Sequence, residues 1–185
     1  MNWRIVIAVL TCSTVLMSSS YTMLIPFLPM YLIEELGVGT DDVNWWSSII
    51  FAVSFLISGI FAPIWGAMSD RGSRKLMAVR AASCLAITYF LGAIVQTPWQ
   101  LFAVRVLQGL AAGLWPAQLA IATSVIPHKR IGLCMGLLQA ALTAGGVLGP
   151  LVGGYLADVF GMRMTFKLAA AALGLITLSL IHISE

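Results

Sequence analysis

Gly145-Gly146-Val147-Leu148-Gly149-Pro150-Leu151-Val152-Gly153-Gly154 lies inside an apolar run from about residue 131 to 156. Gly145, Gly149 and Gly153 are four apart, so on a helix they share one face that carries no side chain. Gly132, Gly136, Ala140 and Ala144 continue a stripe of small residues nearby. Such stripes let two helices approach closely inside a bilayer. Pro150 removes one backbone hydrogen bond and can bend the helix. An isolated pair of glycines would say only that helices pack; the ten-residue pattern is more specific.

Five more apolar segments flank this one, at about 5–33, 46–68, 76–96, 100–125 and 164–181. Each is near the roughly 20 residues needed to cross a membrane. Of the 185 residues, 60% are hydrophobic and 9% charged, with a mean hydropathy of +0.98. Soluble domains carry about 25% charged residues. The composition excludes an ordinary globular protein, a disordered chain and a nucleic-acid binder. The expected fold is an all-α integral membrane bundle of six helices.

The linkers are short and hold most of the charge. Arg4, Arg71, Arg74, Lys75, Arg80, Lys129 and Arg130 fall on one side of the expected topology; the other side has Arg163 and Lys167 with Glu34, Glu35, Asp41 and Asp42. The positive-inside rule places the first group, and with it the N-terminus, in the cytoplasm. A signal peptide is a poorer reading of the first segment, because apolar sequence resumes at once after Ser18–Ser20. Trp3, Trp45, Trp46 and Trp99 lie near expected interfaces, where belt aromatics belong. The spacing Gly66-x-x-x-Asp70-x-x-x-Arg74 returns as Gly154-x-x-x-Asp158-x-x-x-x-Arg163 on the opposite side. That faint echo fits two three-helix repeats of inverted topology, 1–96 and 97–177. Residues 178–185, Leu-Ser-Leu-Ile-His-Ile-Ser-Glu, read as an in-frame translation of a transposase sequencing adapter. They are expected to replace the native end of the sixth span.

Arg105 is the charge that falls well inside an expected span. On insertion scales such a charge costs about 2.5–3.5 kcal/mol, and it usually faces a cavity or a partner. Gln108, Ala112 and Trp115 fall within about 80° of Arg105 around a continuous helix. An Arg, a Gln and a Trp on one face suit the wall of a polar cavity. Snorkelling is the competing reading, since Arg105 is about 7.5 Å from the outer end. Arginine stays protonated; it favours deprotonation of a nearby carboxylate but does not carry an exchanged proton.

The loop Gly66-Ala67-Met68-Ser69-Asp70-Arg71-Gly72-Ser73-Arg74-Lys75 mixes one acid with three bases. It anchors topology, and Asp70, expected just past a helix end, could pair with Arg74 or face another helix N-terminus. The run Ser18-Ser19-Ser20-Tyr21-Thr22 lies near mid-membrane, with Pro26 and Pro29 following. Its hydroxyls either bond back to the backbone or line a water-filled space. Tyr21, Met23, Phe27, Trp115, Gln118 and Gln139 are candidates for an adaptable ligand wall, against the plainer reading that they pack or face lipid. Cys12, Cys84 and Cys134 sit in apolar stretches without metal-site spacing, and His128 and His182 are scattered, so no metal or cofactor is expected.

These segments together resemble the major facilitator superfamily. The loop matches the family pattern G-x-x-x-D-R-x-G-R-K at Gly66, Asp70, Arg71, Arg74 and Lys75, and departs at Ser73, where the family has glycine. Leu101-x-x-x-Arg105-x-x-Gln108-Gly109 resembles the fourth-helix motif, whose arginine is linked to proton coupling. Gly145, Gly149, Pro150, Gly153 and Gly154 match the fifth-helix motif of the antiporter branch. Ile25-Pro26-Phe27-Leu28-Pro29 fits the first-helix motif of drug exporters. The resemblance runs from residue 2 to about 177 and covers one half of a twelve-span family.

It implies an N-terminal six-helix half in the bacterial inner membrane, partnered by a second six-helix half. It also implies export of a lipophilic or amphipathic small molecule in exchange for protons. No Asp or Glu is embedded in the first segment, where many drug/proton antiporters place one. The proton site then falls to Asp70 or to the other half. Two readings stay open beside this one: a facilitator-fold transporter of a sugar or other metabolite, and an inactive truncated half. A membrane enzyme would need an embedded nucleophile–base pair or metal ligands, which the sequence does not offer.

Overall fold

The computed structural model describes residues 3–182, the side chains of Asp70, Arg71, Arg74 and His182 excepted. The described residues form eight α-helices: α1 (Trp3–Thr22), α2 (Leu28–Glu34), α3 (Val43–Arg71), α4 (Arg74–Gly92), α5 (Pro98–Ala111), α6 (Leu114–Val125), α7 (Ile131–Phe160) and α8 (Met162–His182). A 3-10 turn, His128–Arg130, leads into α7. Six stretches are long and apolar enough to cross a membrane: Trp3–Thr22, Val43–Ser69, Lys75–Gly92, Pro98–Val125, His128–Phe160 and Met162–Ile181. They are called spans 1 to 6 below.

Two of the six expected segments are broken. The first stops at Thr22 and restarts at Leu28. Pro26 has no N–H to donate, and Pro29 suits the first turn of the new helix α2. The fourth breaks between α5 and α6. Ala112 is extended, and Gly113 takes φ +118°, a conformation that a residue with a Cβ rarely adopts. By contrast, α7 runs on through Pro150 without interruption.

Local chemistry explains where helices start. Thr97 caps α5 by accepting from Gln100 N at 3.3 Å, with Pro98 in the first turn. Ser73 caps α4 by accepting from Leu76 N at 3.4 Å. The serine that departs from the family's glycine therefore has a task of its own, in an extended backbone that needs no glycine. Asp70 and Arg71 belong to the last turn of α3, not to the loop beyond it.

The spans pack as pairs: α1 on α7, α3 on α5, and α4 on α8. The first pair is the closest. A Cβ on Gly145, Gly149 or Gly153 would lie 2.6 Å from the carbonyl oxygen of Val15, Ser19 or Met23 respectively. The glycine face thus meets the α1 backbone in matching steps of four. Ala78, Ala81 and Ala82 of α4 and Ala169 and Ala170 of α8 are buried, so small side chains also make the α4–α8 seam. Outside, Leu56, Leu133, Leu151 and Tyr155 are all more than half exposed, an apolar surface that only a bilayer or another apolar body covers.

Contacts sort the two ends of the bundle. At one end Arg130 lies 5.4 Å from the Trp3 ring, and Lys75 Nζ donates to Ile181 O at 2.9 Å. At the other, Trp46 meets Trp99 edge-on at 4.9 Å, and Tyr31 donates its hydroxyl to Gly92 O at 2.9 Å. Leu178 to His182, the described part of the suspected adapter tail, simply continue α8; residues 183–185 lie outside the described residues.

Candidate ligand cavity and embedded arginines

Arg105 is buried on α5, 8% exposed, and its Nη1 donates to Gln108 Oε1 at 2.9 Å. The i, i+3 spacing on one helix places both groups on the same face. Across the contact with α3, Ser54 Oγ donates to Arg105 O at 3.2 Å. Tyr21 of α1 and Tyr89 of α4 bring hydroxyls within electrostatic reach of the guanidinium. The Tyr89 hydroxyl and Gln108 Nε2 are both buried without a hydrogen-bond partner. Buried polar groups are nearly always paired, so this corner has capacity for a water or a ligand atom.

A cavity of about 290 Å³ opens beside this corner. Tyr21, Gln108 and Trp115 line it, with Met17, Ser54 and Phe55. The Tyr21 and Phe55 rings meet edge-on at 6.4 Å. Trp115 does not arrive there by the continuous helical face read from the sequence. The chain breaks at Ala112–Gly113, and α6 carries Trp115 into the cavity from the far side of that break.

Four other wall candidates stand elsewhere. Gln118 is fully buried and donates to Ser13 Oγ at 3.0 Å while accepting from Thr14 Oγ1 at 3.2 Å. It clamps α6 to α1. Phe27 sits in the turn after α1, where a Cβ on Gly154 would lie 3.2 Å from its ring. Gln139 is exposed on α7. Met23 is buried against Gly153.

The hydroxyl run takes a third course beyond the two foreseen. Ser18 Oγ donates to Leu142 O at 2.6 Å and Ser19 Oγ to Gly145 O at 3.2 Å. Thr22 Oγ1 shares itself between Ser18 O at 2.8 Å and Gly145 O at 3.4 Å. These bonds stitch α1 to the glycine face of α7. Ser18 also reaches the cavity wall.

The sequence reading placed Arg80 among the end charges. The structure corrects this: Arg80 is the seventh residue of α4, about 7.5 Å into span 3 at 1.5 Å per residue. Its guanidinium stacks on the Trp65 ring, with Cζ 3.5 Å from the ring centroid. Its Nη2 donates to Ala112 O, the carbonyl freed at the break in span 4, at 3.4 Å. A cation stacked on an indole inside a bundle retains its in-plane N–H donors. The usable signal was its place several residues into an apolar run. Trp65, Ser54 and Tyr89 carried none, being ordinary residues of apolar segments.

Of the charged loop, Lys75 is placed by its bond to Ile181 O. Gly66 lies on α3 with open space around it. The side chains of Asp70, Arg71 and Arg74 lie outside the described residues, and so does the expected Asp70–Arg74 pairing.

Comparison with known proteins agrees with this architecture. The family model described as Major Facilitator Superfamily matches residues 10–185. The multidrug resistance protein MdtG of Yersinia enterocolitica is 38% identical over 173 residues, which cover 93% of this chain and 42% of that protein. MdtG of Enterobacter lignolyticus is 38% identical over 186 residues, covering 100% of this chain and 44% of its own. MdtG of Serratia proteamaculans is 36% identical, with 100% and 45% covered. The chain thus spans less than half the length of these curated relatives. With six apolar helices and a family match over nearly its whole length, this chain belongs to the major facilitator superfamily of membrane transporters.

Proposed function

We propose that the chain is the N-terminal six-helix half of a proton-coupled exporter of lipophilic or amphipathic compounds. It would work in the bacterial inner membrane with its N-terminus in the cytoplasm. The observation that carries the reading is the buried Arg105–Gln108 pair beside a cavity walled by Tyr21 and Trp115. The relatives' name, multidrug resistance protein, supports the substrate class. Even with Arg80 moved inward, the Trp3 end keeps Arg4, Arg71, Arg74, Lys75, Lys129 and Arg130, which supports the orientation.

The span pairs support two inverted repeats, 1–96 and 97–177. Exchanging spans 1 with 4, 2 with 5 and 3 with 6 turns the pair 1–5 into 2–4 and leaves 3–6 as it is. Rocking against a second half around a midplane site then follows. Arg105 acts as a fixed charge that lowers the proton affinity of a carboxylate facing it, and substrate binding and release alternate with protonation of that carboxylate. An acid of the second half supplies the carboxylate facing Arg105; Asp70, about 24 Å along α3 from the Ser54 that bonds Arg105 O, is the alternative proton site at the other end of the bundle.

The test is efflux of a lipophilic dye from inverted membrane vesicles that carry the full-length protein, with and without an imposed pH gradient. Gradient-driven transport is expected. Transport that ignores the gradient removes the proton from the proposal, and no transport of any amphiphile removes the exporter.

A further inference from the structure

A second cavity, of about 340 Å³, lies on the other side of the break in span 4. It shares Ser58, Ala112, Gly113 and Pro116 with the cavity beside Arg105. Arg80 and Trp65 line it, with Ser58 and Ser69 adding hydroxyls. Arg80 Nε and Trp65 Nε1 are both buried and have no hydrogen-bond partner. Their stacking leaves the guanidinium edge and the indole N–H as donors, because a cation–π contact uses neither.

The start of α6 adds to this. Its first turn lines the cavity at Gly113, Pro116 and Ala117; Pro116 has no N–H and Ala117 N is bonded to Gly113 O, so what the turn adds is the partial positive charge of a helix N-terminus. Among the described residues, no acidic side chain lines the cavity. Its remaining walls are apolar, Ala62 and Met77 among them. A cavity that offers cationic and N–H donors at one place and hydrocarbon around it fits one chemistry.

We infer that the Arg80–Trp65 cavity binds the anionic group, carboxylate or phosphate, of an amphiphile whose tail lies along the apolar wall. This deepens the export reading and rests on it for why such a ligand is there. The ligand is either a transported compound or a bilayer lipid; both present the same head.

The experiment is equilibrium binding of radiolabelled dodecyl phosphate to the full-length protein in phosphatidylcholine nanodiscs. Wild type is expected to bind it saturably, while dodecyltrimethylammonium at equal concentration does not compete. Arg80→Gln is expected to weaken binding by about tenfold or more, and Arg80→Lys by less, since a point charge remains without the flat fork. Trp65→Phe keeps the ring and loses the N–H, and is expected to weaken binding by about threefold or more. Competition by phosphatidylglycerol in the disc assigns the site to lipid, and its absence assigns the site to a soluble amphiphile.

Equal binding by wild type and a helical, monodisperse Arg80→Gln protein overturns the inference, as does competition by the cationic amphiphile. If Arg80→Gln does not fold, Trp65→Phe carries the test alone, and unchanged affinity there overturns it. Binding needs no pH gradient, so it can fail while gradient-driven dye efflux holds, and hold while efflux fails.

Discussion

Glu35 and Arg163, 128 residues apart in sequence, meet at 2.5 Å between Oε2 and Nε. The same arginine reaches Ala93 O at 3.4 Å. One side chain thus ties the segment after span 1 to the end of span 3 and the start of span 6. Both partners are about one-third exposed, at 31% and 34%. Ion pairs with that access to water contribute about 0–1 kcal/mol and are screened by salt. Glu35→Gln is therefore expected to lower the thermal midpoint only slightly, with the difference shrinking between low and high salt. A large, salt-independent loss would show that the pair is held away from solvent.

The α1–α7 seam is predicted to tolerate almost nothing. At Gly149 even a Cβ would sit 2.6 Å from the Ser19 carbonyl oxygen. Overpacking of that kind costs about 1–3 kcal/mol per site and more where backbone must move. Gly149→Leu is expected to abolish the monodisperse peak in detergent size-exclusion chromatography. Gly136→Leu, on the same helix but with open space beside it, should keep that peak.

Gly113→Ala probes the break in span 4. The φ of +118° is strained for any residue with a Cβ, at about 1–3 kcal/mol. The expected result is a lower unfolding midpoint in thermal scans. An unchanged midpoint would mean that the break can close into a continuous helix.

Arg105→Ala is expected to abolish gradient-driven efflux while leaving the protein in the membrane at wild-type abundance. Its loss also leaves Gln108 Oε1 without the donor it now has. Vesicle transport assays and quantitative blotting check the two halves of the statement. Normal efflux would make Arg105 a snorkelling residue.

Asp70→Asn is expected to slow turnover several-fold without lowering substrate affinity, because the proposal offers Asp70 as a proton-carrying acid and not as a ligand contact. Comparing the maximal rate with the half-saturating concentration separates the two. Unchanged turnover reduces Asp70 to a topology anchor.

Much of this fold was legible because apolar length and glycine spacing are local properties. The six spans and the side-chain-free face at Gly145, Gly149 and Gly153 follow from them directly, and the Arg105–Gln108 pair follows from i, i+3 geometry. Depth and partners are not local. Arg80 reads as an end charge until α4 is seen to start at Arg74. Gln118 reads as a wall residue until Ser13 and Thr14 are found across from it. The break at Gly113 also hid, since glycine within an apolar run is as often a packing residue as a hinge. Only the backbone conformation tells them apart.

The stitching of α1 to α7 has a consequence for biosynthesis. Ser18 is translated 124 residues before Leu142, whose carbonyl it bonds. At about 5–20 residues per second, span 1 enters the membrane roughly 6 to 25 s before its partner exists. Over that interval the Thr22 hydroxyl has only its own helix, at Ser18 O, to bond. The glycine seam is therefore a late closure, and variants that weaken it should be found first as half-made chains cleared by quality control, before any defect in transport can be measured.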